Sequence, residues 1–261
     1  MNGNAASNSP APPRFDHEEL ETINQELEAA APTEILRWAS RSFGSKLTFA
    51  TGFGAEGCVL IDMIARAGLD VDLFTLDTGL FFQETYDLWA ELEHRTGLTI
   101  RGVRPATTLE QQSLLHGEEL WKTKPDLCCT IRKVLPLKEA LTGFEAWASA
   151  IRRDQTPDRN QTPVVSFDSK FSLVKVSPLI NWTFEDVLSY IERHKVPINP
   201  LHQQGYPSIG CTPCTSAVQA GEDARAGRWR SHEKTECGLH TNSRNTTLRI
   251  IQGDAGSQSR P

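Results

Sequence analysis

The chain has 261 residues, of which 38% are hydrophobic and 23% are charged, a composition typical of one large globular domain or two small ones. Its apolar runs are shorter than the ~18 residues that a bilayer span requires, which excludes a membrane protein. The net charge of −6 at pH 7 argues against general nucleic-acid binding, because a phosphate backbone favours a basic surface. The N-terminus has no basic or apolar leader, so we expect a cytoplasmic protein.

Short β-rich runs alternate with longer segments of helical periodicity between two polar ends. The ends predict a disordered N-terminus at 1–14 and a flexible C-terminal segment at 231–261, with the folded domain at 15–230. Strands are predicted at 46–51, 71–76, 98–103, 146–151 and 172–176. Helices are predicted at 15–30, 33–42, 57–67, 82–96, 127–141 and 183–194, the last with Thr183 as its cap and Asp186 three residues later. This alternation predicts an α/β fold with a doubly wound, mostly parallel sheet.

The loops after the strands are the places to look for function, because ligands of such sheets bind beyond the carboxyl ends of the strands. The first loop contains the residues Thr51, Gly52, Phe53 and Gly54. Its glycines allow a positive φ and a close backbone approach, and the helix that follows offers free N–H groups to an anion. A tight turn without a ligand is the alternative interpretation.

Two further strand ends carry polar residues. Asp77, Thr78 and Gly79 follow the second predicted strand and could bind a sugar or a base edge, although such a tripeptide also forms an ordinary turn. Arg152 and Arg153 follow the fourth predicted strand, and paired guanidinium groups bind oxyanions well. A surface salt bridge to Asp154 is the alternative for this pair.

Four cysteines form two close pairs, Cys128 with Cys129 and Cys211 with Cys214. In a reducing compartment such pairs indicate metal or redox chemistry before disulfides. Adjacent cysteines suit the separated corners of a [4Fe–4S] cluster, and structural zinc is the main alternative. Lys133 lies one helical turn beyond Cys129, so its charge could face both a cluster and an anionic substrate.

The two remaining cysteines differ in their surroundings. Cys58 begins an apolar helical run and is predicted to be a buried core thiol. Cys237 lies in a polar segment with Lys234 and His240 nearby, which predicts an exposed, activated nucleophile, an incidental thiol being the alternative. Upstream, a local basic patch predicts that the C-terminal segment closes over an anion, and it comprises Arg225, Arg228 and Arg230.

Several motifs taken together resemble the assimilatory sulfonucleotide reductases, the adenylylsulfate (APS) and phosphoadenylylsulfate (PAPS) reductases. The resemblance covers about residues 45–240. Its most specific motifs are Asp77-Thr-Gly79 with the segment 82–86, Arg152-Arg-Asp-Gln155, the run 197–215 through Cys211-Thr-Pro-Cys214, and Glu236-Cys-Gly-Leu-His240.

The resemblance implies an adenine-nucleotide α-hydrolase-like fold related to the ATP pyrophosphatases. It implies that Cys237, in the ECGLH motif with His240, is the catalytic nucleophile and forms an S-sulfocysteine with release of AMP. It also implies one [4Fe–4S] cluster on the two cysteine pairs, and with it a preference for APS. Phosphosulfate ligands are expected at Lys133, Arg152, Arg225 and Arg228, and the loops at 51–56 and 77–79 are expected to hold the adenosine.

The same resemblance implies an enzyme of sulfate assimilation and cysteine biosynthesis that takes its electrons from thioredoxin or glutaredoxin. We expect a homo-oligomer. The chain departs from the family pattern at Gly52, where many relatives have Ser, and at Ala150, where a Gly commonly precedes the arginine pair. PAPS reduction is the nearest alternative function; an ATP pyrophosphatase-type adenylating enzyme and a non-catalytic iron–sulfur or zinc regulator are more distant ones.

Overall fold

Six strands form one sheet in the order β3-β2-β1-β4-β6-β5 in the computed structural model, which describes residues 14–230, 232, 234 and 237–239. Neighbouring strands are parallel except for β5, which runs antiparallel to β6 at the edge. The strands are β1 (Leu47–Thr51), β2 (Asp72–Leu76), β3 (Ile100–Val103), β4 (Ala146–Ala148), β5 (Val165–Asp168) and β6 (Leu173–Val176). The predicted α/β class with a mostly parallel sheet is confirmed.

The helices pack on both faces of this sheet. They are α1 (His17–Leu27), α2 (Pro32–Phe43), α3 (Ala55–Ala67), α4 (Gln83–Thr96), α5 (Leu109–His116), α6 (Leu120–Thr123), α7 (Pro125–Cys129), α8 (Leu135–Ala140) and α9 (Phe184–His194). The predicted cap of α9 is present, because Oγ1 of Thr183 accepts a hydrogen bond from the N–H of Asp186 at 3.1 Å. The prediction omitted α5 and α6, and it treated 127–141 as one uniform helix.

That helical run is interrupted by a π-helical turn at Thr130–Val134, between α7 and α8. The N–H of Leu135 bonds to the carbonyl of Thr130, five residues earlier. Arg132 and Lys133 lie inside this wider turn. Periodicity in the sequence does not distinguish a π turn from the α-helix around it.

Two apolar clusters cover the two faces of the sheet. On β2, Leu73 faces the larger cluster, which includes residues of α1, α2, α3, α4 and α9. The next residue, Phe74, faces the smaller cluster, which includes Leu137 of α8 and Trp147 of β4. Because alternate side chains of a strand point to opposite faces, a parallel strand covered on both sides buries consecutive residues, as β2 does from Leu73 to Leu76.

The edge strand β5 was not predicted as a strand. It is four residues long and joins β6 through a tight turn, so it offers too short a pattern to recognise. Asn24 of α1 satisfies the outer side of this strand: its side-chain Nδ2 donates to the carbonyl of Val165 at 2.6 Å, and its Oδ1 accepts from the N–H of Val165 at 2.8 Å.

The sheet order brings the three loops singled out in the sequence together. β1 lies between β2 and β4, so the loops that follow these three strands are neighbours at one edge of the sheet. The chain proceeds in one direction from β1 to β2 and β3, and in the other through β4 and β6. A change of direction of this kind opens a crevice between the strand ends, the usual ligand position in doubly wound sheets.

Candidate active site

The loop after β1 turns sharply at Phe53. This residue has a left-handed backbone with φ of 57°, and its buried ring stacks on Trp89 with 5.7 Å between the ring centroids. Gly52 and Gly54 lie outside the left-handed region, so the positive φ that these glycines would allow is adopted at Phe53 instead. Burial of the aromatic ring compensates for a backbone conformation that a glycine would adopt more readily.

The glycine that this loop requires is Gly57, in the first turn of α3. A Cβ at Gly57 would lie 2.7 Å from Oγ1 of Thr51, which accepts a hydrogen bond from the N–H of Phe53. The helix begins at Ala55, two residues earlier than predicted, and its N-cap Gly54 supplies no side-chain acceptor. The first N–H groups of α3 therefore remain available beside the end of β1, as the anion-binding prediction requires.

Arg152 connects this first loop to the end of β4. Its buried guanidinium has Nε 3.2 Å from Oε1 of Glu56 and Nη1 3.2 Å from Oδ1 of Asp154, and it lies over the ring of Phe184. The salt bridge to Asp154 is the one that the sequence offered as an alternative to substrate binding. A phosphosulfate at Arg152 would share the guanidinium with these two carboxylates.

The loop after β2 is organised by the buried carboxylate of Asp77. Its Oδ1 accepts hydrogen bonds from the N–H of Gly79 at 3.0 Å and from the hydroxyl of Tyr86 at 2.8 Å, and its Oδ2 accepts one from Nε of Arg104 at 2.8 Å. Burial alone would raise the pKa of Asp77, but these three donors outweigh it and lower the pKa. The carboxylate therefore has protein partners for both oxygens.

The next residue, Thr78, links this loop to the cysteines. Its Oγ1 lies 3.3 Å from Sγ of Cys211, and its carbonyl accepts a hydrogen bond from Nε of Arg132 at 2.6 Å. The same buried Arg132 side chain donates to Oε1 of Gln112 at 3.1 Å. Arg132 was not predicted from the sequence; its position beside Lys133 and three residues after Cys129 was the available signal.

The two predicted cysteine pairs line a single pocket. Cys128 and Cys129 lie in α7, Cys211 immediately precedes the short 3₁₀ turn Thr212–Cys214, and Cys214 is the last residue of that turn. The other lining residues are Leu80, Trp121, Pro125, Arg132, Lys133 and Trp229. No disulfide joins any of the six cysteines.

Two of the thiols that line this pocket are held in the protonated form, which is a poor nucleophile. Burial raises the pKa of Cys128 to about 11 and that of Cys129 to about 12. In the part of the chain that the structure describes, no group of three cysteine, histidine or carboxylate side chains is recognised as a site for a metal ion. Cys58 lies apart from the pocket and is fully buried, which raises its pKa, so the predicted core role is confirmed.

Lys133 and Arg228 bring positive charge to this pocket. Burial lowers the pKa of Lys133, but the negative charges of Cys211 and Cys237 outweigh it and raise the pKa, so this ammonium lies near both thiols. Nη1 of Arg228 lies 3.3 Å from Oγ of Ser208. Burial lowers the pKa of Arg228, the charges of Cys237 and Cys211 raise it, and the like charge of Arg225 lowers it further.

Arg228 also depends on a close approach to the CxxC loop. A Cβ at Gly210 would lie 2.3 Å from Nη2 of Arg228, so a glycine directly before Cys211 leaves room for the guanidinium. Nε of Arg228 is buried and has no hydrogen-bond partner among the described residues. The neighbouring Trp229 has φ of 47° and lines the pocket, and its ring lies 4.5 Å from the Arg228 guanidinium carbon.

Cys237 is half-buried, whereas the sequence predicted an exposed thiol. The reason is that the residues after it dock on the protein: Gly238 has φ of 85°, its carbonyl accepts a hydrogen bond from Lys170, and Leu239 packs against the smaller apolar cluster. Upstream, Lys234 pairs with Asp126. Lys170 was not predicted, because it is distant in sequence and belongs to no motif. His240 lies outside the described residues.

Among the described residues, no helix is both long and apolar enough to cross a membrane. Residues 46–217 match the family model of the phosphoadenosine phosphosulfate reductase domain. An adenosine 5'-phosphosulfate reductase of Oceanobacillus iheyensis is 48% identical over 215 residues, which cover 82% of this chain and 90% of that protein. An adenosine 5'-phosphosulfate reductase of Bacillus subtilis is 50% identical over 79% of this chain and 89% of its own.

Solved structures extend the comparison to the fold. The phosphoadenylyl-sulfate (PAPS) reductase from Candida auris, crystallised with phosphate, aligns with a TM-score of 0.71 and 32% identity over 80% of this chain and 100% of its own. The Candida glabrata FMN adenylyltransferase shares the fold alone, with a TM-score of 0.50 and 14% identity over 77% of this chain and 68% of its own. These similarities confirm the predicted adenine-nucleotide α-hydrolase-like fold.

Proposed function

The chain belongs to the phosphoadenosine phosphosulfate reductase family, and from that premise we propose that it reduces APS to sulfite and AMP through a covalent intermediate on Cys237. The observation that carries the proposal is the position of Cys237. Its thiol lies near Lys133, which lines the pocket of the four other cysteines, and near Arg228. The names of the bacterial relatives support APS as the substrate.

The reaction has two halves. First, the thiolate of Cys237 attacks the sulfate sulfur of APS, a sulfur–sulfur bond forms, and the bond to the bridging oxygen breaks. AMP leaves with that electron pair as a stable phosphate, so no strong general acid is needed. Second, a thiolate of a dithiol donor such as thioredoxin or glutaredoxin attacks Sγ of Cys237 and expels sulfite. The second donor thiol then restores Cys237, and the donor is left as a disulfide.

Positive charge is the main contribution of the protein to the first half. Lys133 and Arg228 would stabilise the negative charge that shifts from the sulfonyl group to the phosphate oxygens, with Arg225 on the same loop. His240 is proposed to favour the thiolate of Cys237. The loops at 51–54 and 77–79, with Arg152 beside the first of them, would hold the nucleotide at the strand ends.

We also propose that the four cysteines of the pocket hold one [4Fe–4S] cluster. The donor set supports this: four thiols surround one space, and Cys128 and Cys129 are adjacent in a helix, so their sulfur atoms diverge. High thiol pKa values fit such a role, since a metal replaces the protons that burial retains. When bound, the cluster would supply structural support and an electrostatic field near Lys133. Metal analysis of anaerobically purified protein should find iron and sulfide; stoichiometric zinc without iron would contradict it.

PAPS reduction is the second candidate, and the similarity to the Candida auris PAPS reductase is the observation in its favour. PAPS differs from APS by a 3′-phosphate, which needs a cationic site of its own. The number of arginines near the candidate site is compatible with such a site. An adenylating activity is disfavoured, because the first loop lacks the SGGxDS pattern with which ATP pyrophosphatases bind pyrophosphate.

Anaerobic turnover of APS and PAPS in parallel, with thioredoxin present and sulfite measured, separates these candidates. We expect a catalytic efficiency at least about tenfold higher with APS, which corresponds to about 1.4 kcal/mol of transition-state binding. Equal efficiency with both nucleotides would contradict the assignment to APS.

The covalent step is tested without a reductant. Mixing the protein with APS should add one SO₃ unit to the peptide that contains Cys237 and release AMP in equal amount. Cys237→Ser should form no adduct but keep its iron and its nucleotide affinity. Cys58→Ala is the matched control, because Cys58 lies apart from the pocket, and it should still form the adduct. Sulfite production by Cys237→Ser would show that another residue is the nucleophile.

A further inference from the structure

Lys170 lies in the turn of the β5–β6 hairpin, far in sequence from every motif of the site. Its backbone N–H donates to Oδ1 of Asp168 at 3.1 Å, which fixes the turn. Its ammonium lies 5.3 Å from the centroid of the Phe171 ring and donates a hydrogen bond to the carbonyl of Gly238. The hairpin thus reaches the residue that directly follows Cys237.

This contact bears on the orientation of the nucleophile. Gly238 has a left-handed backbone with φ of 85°, so the chain turns sharply immediately after Cys237. Fixing the carbonyl of Gly238 limits the directions in which the Cys237 side chain can point. The charge of Lys170 is also close to Cys237: burial lowers the pKa of Lys170, and the negative charges of Asp168 and Cys237 oppose that effect.

Contacts on both sides of Cys237 hold the segment in place. Before it, Lys234 pairs with Asp126 and lies 5.5 Å from the centroid of the Trp229 ring. After it, Leu239 packs on the smaller apolar cluster. The Lys170 contact differs from these because it acts on the backbone of the residue next to Cys237.

We propose that Lys170 is a positioning residue that holds the backbone of Gly238, and with it Cys237, in place during attack on the substrate. The inference rests on the proposed function. In the docked arrangement Sγ lies near Lys133 and Arg228, where AMP is displaced. In the second half-reaction the donor attacks a sulfur–sulfur bond that has already formed, so the orientation of Cys237 toward APS is no longer needed. Lys170 should therefore accelerate adduct formation and leave the release of sulfite from a formed adduct unchanged.

Lys170→Met tests this step, since Met keeps most of the length and apolar character of the side chain but cannot donate a hydrogen bond. In a single turnover of the iron-loaded protein with saturating APS and no donor, we expect AMP release to slow about fivefold, as for loss of one charge-assisted hydrogen bond at a partly exposed site. Sulfite release from pre-formed adduct by thioredoxin should keep the wild-type rate. Lys170→Arg should restore most of the first rate.

Two further measurements separate positioning from other effects. Lys138→Met removes the same charge from the exposed face of α8 and should leave both rates unchanged. Hydrogen exchange of the peptide containing Gly238 and Leu239, measured without substrate, should be faster in Lys170→Met than in wild type or in Lys138→Met.

The outcomes distinguish the two proposals. Wild-type protein that forms no adduct with APS would overturn the proposed function and, with it, the kinetic role of Lys170. A wild type that forms the adduct, alongside a Lys170→Met variant with unchanged AMP release or unchanged exchange, would overturn this inference alone. Equal slowing of both half-reactions would also overturn it, because that result indicates general damage to the site.

Discussion

At the scale of single residues, Asp77 shows how a residue of a ligand-binding motif can serve the loop itself. Three donors converge on its two oxygens, from the following glycine, from α4 and from the start of the segment after β3. The carboxylate ties these segments together at the crevice. Its contribution to the site is therefore the shape of the loop, and the surrounding backbone is left to contact a nucleotide.

Replacing Asp77 with Asn should lower the free energy of unfolding by about 2 kcal/mol at pH 7, because one buried oxygen loses its charge and its fit to the donors. The pKa of Asp77 is lower in the folded than in the unfolded protein, where it is about 3.9. The stabilisation by the ionised carboxylate is therefore complete above about pH 4 and disappears as the pH falls through the lower, folded value.

Urea unfolding between pH 8 and pH 3.5 measures the difference in the free energy of unfolding between wild type and Asp77→Asn. It should stay constant down to about pH 4 and narrow only below it. A difference that already narrows between pH 7 and pH 5 would mean that the carboxylate is not held in its ionised form.

At the scale of elements, the π turn between α7 and α8 has an identifiable cause in Pro136. A proline inside an α-helix has no N–H to donate, and its ring collides with the carbonyl four residues earlier, here that of Arg132. The wider turn at Thr130–Val134 avoids this collision. It also sets the directions of Arg132 and Lys133, which lie inside it. A residue that disfavours regular helix thus helps place the cation beside Cys237.

Pro136→Ala should allow a regular α-helix through this region and so rotate Lys133 away from the pocket. We expect thermal stability equal to or above that of wild type, with AMP release in a single turnover slowed about tenfold through lost electrostatic stabilisation. Pro157→Ala, in an exposed 3₁₀ turn, is the control and should change neither quantity. Wild-type AMP release by Pro136→Ala would show that the π turn is not required for the position of Lys133.

The elements that sequence periodicity predicted are those with long or strongly apolar patterns, such as β1, β2, α3 and α4. The π turn was not predicted, because its residues have the same apolar spacing as the helices on either side. β5 and α5 were not predicted for another reason, which is that neither gives a clear amphipathic signal. β5 has only four residues, and α5 exposes the apolar side chains of Leu114 and Leu115. The left-handed backbone of Phe53 was not predicted, because it is stabilised by a tertiary contact between its ring and Trp89.

At the scale of the whole molecule, the arrangement of the site follows from the order of the strands. The parallel strands and the loops that follow them could be predicted from the sequence. It could therefore also be predicted that the loops after β1, β2 and β4 lie close together. The spacing of the cysteines already suggested that Cys128 and Cys129 pair with Cys211 and Cys214, and the resemblance implied the same set. The contact between the β5–β6 hairpin and the Cys237 segment was out of reach, because it joins distant residues of no recognisable pattern.

The contact of Asn24 with β5 bears on how this protein behaves at high concentration. An edge strand with free backbone groups can recruit a strand of another chain, and the carboxamide of Asn24 occupies that place on Val165 by bonding to both its N–H and its carbonyl. Phe167, on the same strand, is 40% exposed and would add apolar area to such a pairing. Asn24→Ala should therefore scatter light at a lower protein concentration on mild heating, whereas Thr22→Ala, two residues away on α1, should not. Equal scattering by the two variants would place the barrier to association elsewhere.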